Sequence, residues 1–322
     1  MIGRMRNFVC LFVAAFCCAL SAASQNAPPT QPPPQPPPST DIFLVSLNAR
    51  RAGQLAFGQP INITRREGYD NQPSFLPGGE ELLYTSQRGE QTDIYRYDLR
   101  RHGDGAHAQL TATAESEYSP TLMPGGAGFS VIRVEVDKRQ RLWKFPFAGG
   151  QPALVLEQIK PVGYHLWIDP HTLALFILGT PNTLQLVDAR NEKAEVIVEN
   201  IGRSLHLIPR GRGQFSFVHK VSKDEWHVKS FDPWTKRIET IVRTLPGSED
   251  LAWLLDGSLL MGQGAKLYRF DPRTKKSGWQ EVADFSAAGL QEITRLSISP
   301  RGDQLAFVAL PVPESLPQRK IF

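Results

Sequence analysis

DNQPSFLPGGEELLYTSQRGEQTDIYRYDL, Asp70 to Leu99, is the stretch on which the fold turns. It reads as an extended segment, a tight turn, a second extended segment, a polar turn and a third extended segment. Pro73 and Phe75 lead into Pro77-Gly78-Gly79, Leu82-Leu83-Tyr84 forms a β-type run, and Asp93-Ile94-Tyr95-Arg96-Tyr97 alternates with period two. Three short strands of this kind cannot bury their own apolar faces. The unit therefore predicts copies of itself.

Copies are present. The turn recurs as Pro124-Gly125-Gly126, weakens to Asp169-Pro170-His171, Pro209-Arg210-Gly211 and Leu255-Asp256-Gly257, and returns as Pro300-Arg301-Gly302-Asp303. Successive turns lie 39 to 47 residues apart, the length of one four-stranded propeller blade. Each is flanked by short apolar runs, such as Pro120-Thr121-Leu122 before and Phe129 to Ile132 after the second. After the sixth turn only two good strands remain, to about Leu310. Asp41 to Leu47 at the start supplies the missing third strand and Gln59 to Thr64 the fourth, which closes a ring and removes open edges. The sequence thus predicts an all-β, six-bladed β-propeller of four-stranded blades, closed by an N-terminal strand that completes the last blade.

Upstream, Arg4 and Arg6 precede the apolar run Phe8 to Leu20 and the small residues Ser21-Ala22-Ala23. This order predicts a secretory signal peptide over residues 1–23, the apolar run being short for a bilayer span. Residues 24–40 are Pro-rich (QNAPPTQPPPQPPPST from Gln25) and predict a semi-rigid polyproline II spacer, or a docking segment for a partner. The propeller domain is assigned to 41–322. Cys10, Cys17 and Cys18 all lie inside the signal, so the remainder has neither disulfide nor cysteine metal site. The formal charge of +4 is spread among scattered Lys and Arg without a basic, aromatic stripe, which argues against nucleic-acid binding.

The segment carrying Pro73, Pro77-Gly78-Gly79, Ser86, Arg88, Gly89, Asp93-Ile94-Tyr95 and Asp98-Leu99 is similar to the WD-like repeat of the TolB-type propellers. So is Ser299-Pro300-Arg301-Gly302-Asp303-Gln304-Leu305-Ala306-Phe307. The resemblance implies an exported, periplasmic or secreted protein that works by contacts in the cell envelope. TolB itself belongs to the Tol-Pal system and carries an N-terminal α/β domain, in whose place this chain has the Pro-rich tract.

In a propeller, residues just before each inner strand ring one mouth of the central channel. They are Asp70 and Asn71, Glu117 and Tyr118, Tyr164, Arg203, Glu249 and Asp250, and Arg295. These groups either recognise an envelope protein, peptide or glycan, or hydrogen-bond adjacent blades and water. No catalytic residue, metal ligand set or cofactor is predicted. His165 and His206 occupy related inner-strand positions, and two histidines fall short of the histidine-rich channel of pectin-degrading lyases. No Gly-x-Ser-x-Gly elbow or strand-helix alternation adds a hydrolase domain as in the propeller peptidases. The expectation is a non-catalytic, monomeric binding scaffold. The alternatives are a channel-metal lyase or lactonase, and an accessory propeller for an envelope protease or transporter.

Overall fold

The computed structural model describes residues 38–49, 54–274 and 278–310. The expected signal peptide and most of the Pro-rich tract lie outside the described residues. Six antiparallel sheets follow one another around a ring. Blade 1 has the strands Asp70–Phe75, Glu81–Gln87, Thr92–Asp98 and His107–Gln109, and blade 2 has Ser116–Leu122, Gly128–Val134, Gln140–Pro146 and Ala153–Leu154. Blade 3 runs from Val162–Trp167 to Lys193–Glu199, blade 4 from Ile201–Leu207 to Ile238–Arg243, and blade 5 from Leu251–Trp253 to Gln280–Asp284.

Blade 6 begins with Thr294–Ile298 and Gln304–Ala309, and its third strand is Asp41–Ala49. Asp41 pairs with Ala309 and Ser46 with Gln304, and the rings of Phe43 and Phe307 stack at 5.8 Å. The predicted closure is therefore present. Its outer edge is divided between two short segments: Leu55–Phe57 pairs with one end of Asp41–Ala49, and Ile61–Asn62 pairs with Phe43 and Leu44. The expected fourth strand at Gln59 to Thr64 covers only the second of these.

The core is a set of six apolar clusters, one between each pair of neighbouring blades. The second strand of each blade feeds two of them by alternation. Leu82 and Tyr84 pack toward blade 6, whereas Leu83 packs toward blade 2. Phe215 and Phe217 face blade 3 while Val218 faces blade 5. Leu305 and Phe307 face blade 5 while Ala306 and Val308 face blade 1. A strand buried on both faces needs an unbroken apolar run, and that is why Leu82-Leu83-Tyr84 and its counterparts read as continuous hydrophobic stretches.

The turns between first and second strands explain why the sequence repeat fades. Gly79 and Gly302 adopt φ of +71° and +73°, a left-handed conformation that glycine takes without strain. Blade 4 places Arg210 and Arg212 in left-handed conformations instead. Blade 3 uses the Asp169 carboxylate, which accepts hydrogen bonds from the backbone N–H of His171 and Thr172 at 2.8 and 2.9 Å. The turns also differ in length, closing from Leu76 to Glu81 in blade 1, from Ile168 to Thr172 in blade 3 and from Ile208 to Gln214 in blade 4, so the signature is lost while each still joins first strand to second.

Candidate functional site: the central channel

Five of the six inner strands carry a register shift against their partner strand. In blades 1, 2 and 6 the bulge holds a non-glycine residue in the left-handed region: Gln72 at φ +57°, Ser119 at +55° and Arg295 at +53°. Bulges of this kind re-aim a side chain, and strained conformations persist where the surrounding structure imposes them. Counting back three residues from the strand ends Phe75, Leu122, Trp167, Leu207, Trp253 and Ile298 gives Gln72, Ser119, Tyr164, Ser204, Asp250 and Arg295. All six line one cavity of about 400 Å3 at the centre of the ring.

Three of the predicted residues, Tyr164, Asp250 and Arg295, occupy this ring position, and Arg203 lines the cavity beside it. Arg203 donates to Asp250 from Nε at 2.9 Å and from Nη2 at 2.5 Å, a forked pair between the inner strands of blades 4 and 5. Burial works against the charge of Asp250, but the Arg203 guanidinium and the positive field of Arg295 hold its carboxyl below the ordinary value. Glu249 points to the neighbouring cavity of about 340 Å3, where its carboxylate accepts from the backbone N–H of Arg203 and pairs with Lys220 at 3.0 Å. Gly202 leaves the room for it, because a Cβ there would come within 2.6 Å of Glu249 Oε2.

Arg295 of blade 6 reaches across the channel to blade 3, the opposite blade of the ring. Its Nη2 donates to the Tyr164 hydroxyl at 2.8 Å, and its guanidinium lies 5.0 Å from the centre of that ring. Tyr69 belongs to the same neighbourhood: burial pushes its hydroxyl pKa up, with Arg295 pulling it back and Tyr164 and Tyr118 adding to the rise. Its ring meets Tyr118 edge to face at 6.5 Å.

Asp70, Asn71 and Glu117 do not line the cavity. They sit one or two residues before the ring position and turn into the blades. Asp70 is fully buried and held by Arg66, with Nε and Nη2 at 3.0 and 3.1 Å from its two oxygens. Asn71 donates to Thr40 Oγ1 at 3.3 Å. Glu117 is fully buried against Arg133 at 3.1 Å and Thr113 at 2.5 Å, and burial pushes its carboxyl up to about 7. Tyr118 packs on the apolar cluster between blades 2 and 3. The sequence reading missed Gln72, Ser119 and Ser204, which the count of three from each strand end would have found.

Both inner-strand histidines line the cavity. His165 Nε2 lies 2.6 Å from Ser130 Oγ, and His206 Nε2 lies 3.0 Å from Ser204 Oγ. Burial lowers their pKa values to about 3 and about 4, so both rings are neutral at pH 7. Among the described residues no group of three or more His, Cys, Asp and Glu is placed to hold a metal ion. No helix among them is long and apolar enough to cross a membrane.

The ring of four-stranded sheets and its channel define a six-bladed propeller of the TolB architecture. A putative TolB from Agrobacterium tumefaciens matches with a TM-score of 0.65 at 16% identity, over 85% of this chain and 100% of that one. TolB from Acinetobacter baumannii matches at 0.52 and 14% identity, over 84% of this chain and 63% of its own. A puromycin-hydrolyzing peptidase of Mycobacterium tuberculosis matches at 0.50 and 14% identity, over 76% of this chain and 45% of that one. At these identities the likeness is one of fold. No family model and no curated protein matches the sequence.

Proposed function

We propose that this chain is a non-catalytic, exported propeller of the cell envelope that binds a protein, peptide or glycan ligand at its channel. The observation that carries the reading is the convergence of Tyr164, Arg203, Asp250 and Arg295, from four different blades, on one cavity of about 400 Å3. That volume lies in the range of ligand sites, and a closed ring holds its lining rigidly. Arg203 is paired with Asp250, Arg295 donates to the Tyr164 hydroxyl and the histidines are neutral, a set suited to recognition more than to proton transfer. The architecture shared with TolB supports the same reading, although the propeller of the M. tuberculosis peptidase belongs to an enzyme and fold alone does not choose.

The experiment compares wild type with the double variant Tyr164→Phe, Arg295→Gln as baits on envelope extract. Wild type is expected to capture a partner that the variant loses, with melting temperatures within about 2 °C of each other. Capture that is unaffected by the two substitutions would remove the channel from the account. Elemental analysis of the same preparation addresses the rival: a stoichiometric divalent ion would favour the lyase or lactonase reading.

A further inference from the structure

Blades 4 and 5 end their third strands with nearly the same residues. Asp271-Pro272-Arg273-Thr274 in blade 5 corresponds to Asp232-Pro233-Trp234-Thr235 in blade 4. In blade 5 the Arg273 guanidinium folds back on Asp271, donating from Nε at 2.9 Å and from Nη2 at 2.8 Å. Blades 1 and 3 do the same, with Arg100 on Asp98 and Arg190 on Asp188. Blade 4 completes its turn without an arginine. The Asp232 carboxylate accepts from the backbone N–H of Trp234 and Thr235 at 2.9 and 3.1 Å, and the Gln214 side-chain amide donates to its second oxygen at 3.1 Å. The exchange therefore changes what the turn shows to solvent: an indole, 67% exposed, in place of a neutralised cation.

That indole is held in place. Trp234 Nε1 donates to the Arg212 carbonyl at 3.2 Å, and the ring lies over Gly213, where a Cβ would come within 3.5 Å of Nε1. A side chain fixed in advance has less rotamer freedom to lose on binding. Arg210 and Arg212, both exposed and both in left-handed conformations, stand in the same turn as Gly213. The neighbouring cations are matched, Lys236 with Glu195 at 2.6 Å and Arg237 with Glu239. Among the described residues the guanidinium groups of Arg210 and Arg212 have no counter-ion. Leu207, at the end of the inner strand on the same face, is 43% exposed.

We propose that this end of blade 4 is a docking surface for an acidic peptide segment of a partner protein. An apolar side chain of the segment sits on Trp234, and its carboxylates take the guanidinium forks of Arg210 and Arg212. Tryptophan and arginine are the residue types that dominate interface energies, and the fork matches a carboxylate in shape as well as charge. A neutral glycan would stack on the indole and leave both cations unmatched. The surface lies at the end of the strand Ile201–Leu207, whereas Arg203 stands near its start, so the inference goes beyond the channel and does not rest on it.

Residues 24–322 are titrated calorimetrically with acetyl-Glu-Glu-Leu-Phe-Glu-Glu-amide, with the same peptide carrying Gln for every Glu, and with maltoheptaose. The acidic peptide is expected to bind about tenfold or more tightly than the Gln peptide and to weaken as salt is raised. Trp234→Arg recreates the blade 5 turn, so it should keep the melting temperature and weaken binding of the acidic peptide about tenfold or more, although it adds a positive charge. The double variant Arg210→Gln, Arg212→Gln should abolish the preference for the acidic peptide, and retained binding of the Gln peptide shows that the loss does not come from misfolding. The channel variant Tyr164→Phe, Arg295→Gln should bind the acidic peptide as wild type does. Equal binding of the two peptides, binding undiminished by Trp234→Arg, or no peptide binding at millimolar concentration overturns the proposal. Loss of binding in the channel variant also overturns it, by moving the acidic peptide to the channel. Binding of maltoheptaose alone, abolished by Trp234→Arg, would give the indole to a glycan and reject the peptide.

Discussion

Glu117 in blade 2 and Asp250 in blade 5 stand within two residues of the same place on their inner strands, and each is paired with an arginine. They end in opposite situations. Glu117 meets Arg133, its direct cross-strand partner on the second strand of the same blade, and the pair is sealed, with side chains 0% and 5% exposed. Asp250 meets Arg203 from the inner strand of the neighbouring blade, and that arginine stays 30% exposed against the cavity. Where the counter-ion originates decides whether a carboxylate becomes part of the blade or part of the channel. Asp70 is an intermediate case: it is fully buried, but its Arg66 comes from the segment leading into blade 1 and stays 26% exposed.

The largest effect is therefore expected from breaking the sealed pair. Arg133→Met leaves Glu117 buried without its cation and should cost about 3–5 kcal/mol at pH 8, read as loss of melting temperature by circular dichroism. The cost should shrink at pH 5, where Glu117 is protonated. An unchanged melting temperature at pH 8 would erase the distinction between the two regions. Arg203→Met should cost less, about 1–2 kcal/mol, because water in the cavity and Arg295 still serve Asp250. Equal losses for the two arginines would place both pairs in one category.

The pH profile sharpens the same contrast. The folded pKa of Glu117, about 7, lies above its ordinary value of 4.5, so between those limits the folded state binds the extra proton. Its contribution is fully present below about pH 4.5 and is lost as pH rises through 7. Buried His165, lowered from 6.5 to about 3, works in the opposite sense: its contribution is present above pH 6.5 and lost as pH falls toward 3. Glu117→Gln should consequently be most stabilised relative to wild type at pH 8 and least at pH 4.5. A difference independent of pH would mean that Glu117 does not titrate in this window. Gly202→Ala should cost about 1–2 kcal/mol, since the Glu249 carboxylate can withdraw from the new Cβ but the Cβ of buried Val218, 3.1 Å away, has little room to do so.

Most of the architecture was legible in local chemistry. Turn glycines at Gly79 and Gly302, apolar runs such as Leu305 to Val308, and the orphan strand at Asp41 to Leu47 each carry their meaning within a few residues. The turns of blades 3 and 4 were harder to read because the Asp169 carboxylate caps a shorter turn in one, and Arg210 and Arg212 take left-handed conformations in the other. The channel was only partly legible. A bulge of one residue moves the lining from Asn71 to Gln72 and from Tyr118 to Ser119, and nothing in the local pattern marks the extra residue.

What the chain determined by itself is the ring: turn chemistry and doubly buried second strands recur at blade length, and strand patterning is a short-range property. What only the tertiary structure decided is which polar groups meet. Glu117 finds Arg133 through strand register, Asp250 finds Arg203 from 47 residues away, and Arg295 finds Tyr164 from 131 residues away across the channel. Electrostatic partners are chosen by distance in space, and closing the ring is what brings those distances down to hydrogen-bond length.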